Sequence, residues 1–162
     1  MGPTDLRGVW ATVLLPLEAN DDIDFGRLEA EVDVLLTTGV HGIYTNGSAG
    51  EFHTLGDAEY DRLHDLVATR CRAAGMPFQL GAGHPGGHRS LELIRRAAAL
   101  EPDAIQVVLP DWLPLTTEEV LAAVDRMARV ADGSRWCSTT RPAPRRGSTR
   151  RRSSGWPTRC PH

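Results

Sequence analysis

Lysine is missing altogether: the 18 basic side chains among 162 residues are all arginine. Chemistry that needs a neutral side-chain amine therefore has no donor here, because a delocalised guanidinium does not deprotonate under ordinary conditions. Cysteine is scarce as well. Cys71, Cys137 and Cys160 are an odd number with no CxxC spacing, which argues against a disulfide scaffold or a zinc ribbon. No apolar run approaches the roughly 20 residues of a membrane helix, and the opening Met1 to Gly8 lacks the pattern of a signal peptide, so a cytoplasmic protein is expected.

What is present is the composition of a globular chain, 41% apolar and 24% charged. The net charge of −3 hides a sharp division. Residues 134–162 carry eight arginines and no acid, about +8, so the preceding 133 residues carry about −11. The same tail has no Leu, Ile, Val, Phe, Met or Tyr, and is expected to be disordered for want of a core.

Up to Gly133 the pattern repeats four times: a β-prone run, a polar or glycine-bearing loop, then apolar residues at helical period. The first run, Gly8 to Leu17, is nearly all apolar, as for a strand buried on both faces. Its helix is predicted from Asp24, with Phe25, Leu28, Val32, Leu35 and Leu36 inward and Gly39 as the stop. The second unit runs Val40 to Thr45, then a helix over Asp57 to Ala74 with Leu63, Leu66, Val67, Cys71 and Ala74 inward. The third runs Pro77 to Ala82, with Leu91, Ile94, Ala97 and Ala98 inward on its helix. In the fourth, Ala104 to Leu109 precedes a Thr116-x-x-Glu119 capping box and a helix burying Val120, Leu121, Val124, Met127 and Ala128. Strand starts 27 to 37 residues apart suit right-handed β-helix-β crossovers.

The most specific local signal is Gly47, Ser48, Ala49, Gly50, Glu51, followed by Thr54 and Leu55. It resembles the G-(S/T)-T-G-E loop of the dihydrodipicolinate synthase and N-acetylneuraminate lyase family. Other segments agree in order over about 125 residues: Gly8 and Pro16, Pro77 with Gly81 and Gly83, then Asp103, Ala104 and Pro110. The resemblance implies an α/β fold of parallel units, roughly the first four of a (β/α)8 TIM barrel, with the site at the C-terminal ends of the strands. It implies that Gly47, Ser48 and Ala49 hold the carboxylate of a 2-oxo acid such as pyruvate, and that Glu51 supports the loop. It also implies a homotetramer and no cofactor or metal.

Three departures stand out. Ala49 lacks a hydroxyl that the family usually has, Asp111 and Trp112 occupy the place of two family tyrosines, and the Schiff-base lysine and its neighbouring tyrosine have no counterpart. No catalysis by this chain alone is therefore expected. The tail suggests a cause. Taking the third base of each codon with the first two of the next, Trp136 and Cys137 force valine, and Ser134 to Pro142 permits Pro-Leu-Val-Leu-Tyr-Asn-Pro-Pro, a strand ending in the family's Y-N-x-P. A frameshift after about residue 133 is the expectation, and sequencing the locus checks it.

Other readings attach to the same residues. Gly81, Gly83 and Gly86 match a dinucleotide fingerprint in form, which would make the third loop a nicotinamide-nucleotide site. His84 and His88 share i, i+4 spacing but flank Gly86 and Gly87, which speaks against a helical metal pair. His41, His53 and His64 are expected to be ordinary surface or loop residues. The arginine tail is suited to binding nucleic acid or an anionic surface non-specifically.

Overall fold

A computed structural model describes residues 6–109 and 115–131, and the backbone of 136–138. Alternating strands and helices build one parallel sheet in chain order, β1 (Trp10–Thr12), β2 (Gly42–Tyr44), β3 (Phe78–Gly81), β4 (Ala104–Val107) and β5 (Trp136–Ser138). Between them lie α1 (Phe25–Thr37), α2 (Asp57–Ala74), α3 (Gly87–Ala98) and α4 (Thr117–Val130). Each strand adds beside its predecessor, as in the opening of a TIM barrel.

The helix ends are set by local chemistry. The Asp24 carboxylate accepts the Gly26 and Arg27 amides, both at 3.0 Å, and so caps α1. Glu59 takes the Gly56 amide at 2.8 Å before α2, and Gly75 closes that helix at φ 64°. The Thr116 box forms as predicted: the Glu119 amide donates to Thr116 Oγ1 at 3.3 Å and the Thr116 amide to Glu119 Oε2 at 2.7 Å.

Side chains alternate across the sheet. Val13, Ile43, Phe78, Leu80, Ile105 and Val107 are buried in one core with Leu28 and Val32 of α1, Leu63, Val67 and Cys71 of α2, Leu91, Ile94 and Ala97 of α3, and Val120 and Met127 of α4. On the opposite face, the Trp10 ring lies over Gly42, and Gln79 Nε2 donates to Gln106 Oε1 at 3.0 Å. Arginines stitch α2 to its neighbours from outside: Arg70 pairs with Glu29 and Asp33 of α1, and Arg96 of α3 with Asp61.

Several expectations require correction. The first run is not a long strand buried on both faces. β1 is three residues, Val9 and Leu14 are 65% and 50% exposed, and Leu17 is exposed too. Its outer edge has no neighbouring strand among the described residues, and Pro16 breaks the run toward α1. Leu121 and Ala74 are exposed rather than inward. Leu121 sits about 100° around α4 from the buried Val120, and Ala74 is in the last turn of α2. Within the basic tail, Trp136–Ser138 pairs in parallel with β4. An open strand edge offers main-chain donors and acceptors to any sequence. Asp111, Trp112, Pro110 and residues 139–162 lie outside the described residues.

Candidate carboxylate loop at the end of β2

β2 ends in Tyr44, and Thr45 still pairs with β3 through its amide, which donates to the Gln79 carbonyl at 3.1 Å. Asn46 then turns left-handed at φ 52°, and the chain leaves the sheet. Gly47 is buried with its Cα against the Tyr44 ring, where an added Cβ would lie 2.9 Å from a ring carbon. A single turn follows, Ser48–Gly50, in which the Gly50 amide closes on the Gly47 carbonyl at 3.0 Å. Neither the Ser48 nor the Ala49 amide has an acceptor among the described residues, and both residues are exposed. Two adjacent free amides beside a serine hydroxyl form a patch of positive potential suited to an anion.

The structure brings Gly47, Ser48, Ala49 and Glu51 into this one loop. Glu51 lies in it at φ 48°, and its carbonyl accepts the Thr54 amide and hydroxyl, each at 2.9 Å. Gly81 and Gly83 belong to the packing beneath: an added Cβ would lie 2.6 Å from the Thr45 and Asn46 carbonyl oxygens at Gly81, and 2.9 Å from Val108 at Gly83. His84 organises its own loop, its Nδ1 accepting the Gly86 amide at 2.9 Å. No group of three or more His, Cys, Asp or Glu suited to a metal occurs among the described residues, and no helix there is long and apolar enough to cross a membrane.

His64 overturns the expectation of a surface residue. It is 1% exposed, with Nε2 3.0 Å from Thr45 Oγ1 and its ring edge-on to Tyr60 at 4.0 Å between centroids. Tyr60, in turn, donates its hydroxyl to the Leu93 carbonyl at 3.1 Å. The signal was available: Tyr60, His64, Val67 and Cys71 share one stripe of α2 at helical spacing. Tyr44, Asn46, Gln79 and Gln106 were also missed, since nothing marks a polar residue in an apolar run as facing a barrel interior.

Burial, with a smaller push from Arg96, lowers the His64 pKa to about 3. Burial raises the Tyr60 phenol, and burial with the Asp103 charge pushes the Cys71 thiol up to about 12, so that thiol is inert. Because the unfolded chain protonates His64 near its ordinary value of 6.5, stability falls as pH drops from about 6.5 toward 3. This group alone should cost about 2 kcal/mol at pH 5 relative to pH 8. Urea unfolding at the two pH values checks it, with His64→Gln expected to lose most of the difference.

Comparison with known proteins agrees with this architecture. The dihydrodipicolinate synthetase family model matches residues 5–133. The chain belongs to this family. It is 35% identical over 118 residues to a 4-hydroxy-tetrahydrodipicolinate synthase of Stenotrophomonas maltophilia, covering 72% of this chain and 39% of that protein. Among solved structures, dihydrodipicolinate synthase DapA-2 of Bacillus anthracis matches at 27% identity and a TM-score of 0.69, over 76% of this chain and 42% of that one. Proteus mirabilis N-acetylneuraminate lyase shares the fold at a TM-score of 0.76 and 22% identity, over 82% and 45%. The chain spans about two fifths of the length of the curated relatives it matches.

Proposed function

We propose that residues 6–131 form the carboxylate-binding half of a cytoplasmic 2-oxo acid lyase or synthase barrel, and that these 162 residues alone do not turn over substrate. The observation that carries the first part is the pair of free amides at Ser48 and Ala49, next to the Ser48 hydroxyl, at the C-terminal end of a barrel strand. A carboxylate seated there would accept from both amides, and Ser48 would supply a third donor. Such charge-assisted bonds fix orientation as well as affinity. Ala49 contributes its amide without a hydroxyl, so the loop holds the acid with one donor fewer than the usual family pattern.

The second part rests on composition. Activating the ketone needs a nucleophilic amine, and no side chain in this sequence offers one. The family's lyase chemistry would therefore require residues outside this chain. Calorimetric titration with pyruvate tests the loop: weak saturable binding is expected, reduced about tenfold to a hundredfold by Ser48→Ala through loss of one hydrogen bond to a charged group. Equal affinity in the variant would remove Ser48 from the site.

A further inference from the structure

Behind the loop, three elements meet at one buried oxygen. Thr45 Oγ1, on a fully buried side chain, accepts the Gly81 amide of β3 at 3.3 Å and lies 3.0 Å from His64 Nε2 of α2. Its place in the ladder explains the arrangement. The Ile43 and Thr45 amides donate to the Pro77 and Gln79 carbonyls, and the next bond of an evenly spaced parallel ladder would run from the Gly81 amide to the Thr45 carbonyl. The left-handed turn at Asn46 carries the chain out of the sheet at that point. Gly81 donates to the Thr45 hydroxyl instead, so a side chain closes the ladder where the main chain has departed.

That hydroxyl has one proton to give. The Thr45 oxygen has two lone pairs, so beside the Gly81 N–H it can accept from a protonated His64 Nε2, or its own O–H can donate to an unprotonated Nε2; the pairing forms with either ring tautomer. Nδ1 is buried and has no hydrogen-bond partner among the described residues, while the ring packs edge-on to Tyr60. A buried histidine with one ring nitrogen unmatched is costly, so an apolar residue would serve packing better at this position. The bond to Thr45 is what His64 adds to the structure.

We propose that Thr45 and His64 are positioning residues, which hold the end of β2 through a Gly81–Thr45–His64 relay and thereby set the direction of the Ser48 and Ala49 amides toward a 2-oxo acid carboxylate. Neither touches the ligand. Thr45 is three residues from Ser48, and the intervening Asn46 and Gly47 are both buried, so a change in its anchoring is transmitted along a short, confined stretch of chain. The inference rests on the loop being the carboxylate site, but the relay itself is measurable without any ligand.

Nitrogen-15 NMR of the full chain reads the His64 ring directly, and the expected result is a neutral ring whose Nε2 resonance moves on Thr45→Val. Thr45→Val removes the hydroxyl at nearly constant shape. It should shift the amide resonances of Gly47 to Gly50, and weaken pyruvate binding about threefold to tenfold at unchanged helix content, with Thr45→Ser restoring both. A His64 Nε2 resonance indifferent to Thr45→Val would overturn the relay, as would a folded Thr45→Val chain whose loop resonances and pyruvate affinity match the parent. If Thr45→Val does not fold, His64→Leu, which cannot bond Thr45, decides instead: unchanged loop resonances in that variant would overturn the relay. If the parent chain binds no pyruvate, the carboxylate reading fails, and the ring and loop shifts judge the relay on their own.

Discussion

Gly81→Ala should cost about 3 kcal/mol, the upper end of what an overpacked site ordinarily loses, and should shift the urea midpoint accordingly. A methyl group there would lie 2.5 Å from Asn46 Cβ and 2.6 Å from the Thr45 and Asn46 carbonyl oxygens. Two of those three contacts are main chain, which has no rotamer to change, and Thr45 and Asn46 are themselves buried. Relief therefore requires separating β2 from β3 at the point where the loop begins. Gly87→Ala is the control. Nothing lies within 4 Å of its added methyl, its φ is not positive, and it is the first residue of α3. Alanine's better helix propensity should leave that variant within about 1 kcal/mol of the parent. Similar losses for both would show that glycine at position 81 is not a packing requirement.

The second large effect is chemical. When a primary amine condenses with pyruvate, the carbonyl oxygen leaves as water, and borohydride then delivers hydride to the iminium carbon, leaving a stable secondary amine on the protein. Arginine does not take part, because its nitrogens share one delocalised cation that stays protonated. Intact-mass measurement after treatment with pyruvate and borohydride should thus show the unmodified chain as the dominant species. A lysine-bearing member of the family, treated in parallel, should gain one three-carbon unit per subunit. A stoichiometric gain on the present chain would contradict the proposed inactivity and point to the N-terminal α-amine, the one primary amine this lysine-free sequence has.

How far the sequence alone leads depends on which physical signal each residue carries. Asp57–Ala74 is legible to the residue because its start is marked by acids and its end by glycine, and the helix repeats its apolar stripe for 18 residues. Gly8 to Leu17 misleads for the opposite reason. Apolar content does not report burial at the margin of a sheet, where Val9 and Leu14 find no layer to cover them. β5 was invisible because main-chain pairing leaves no imprint on side-chain pattern. The Gly47–Glu51 loop was legible as a motif, since a run of small residues at the end of a strand is compositionally distinctive. Its buried support was not, because Thr45 reaches across to His64, 19 residues away, and no local period links the two.

The most direct measurement follows the backbone amides of the loop by NMR while the unsubstituted chain is titrated with pyruvate and, separately, with acetone, which keeps the ketone and lacks the carboxylate. Saturable shifts at Ser48 and Ala49 with pyruvate, and none with acetone, are the predicted result. Shifts confined to residues elsewhere, or equal responses to both compounds, would contradict the assignment of this loop to a 2-oxo acid carboxylate.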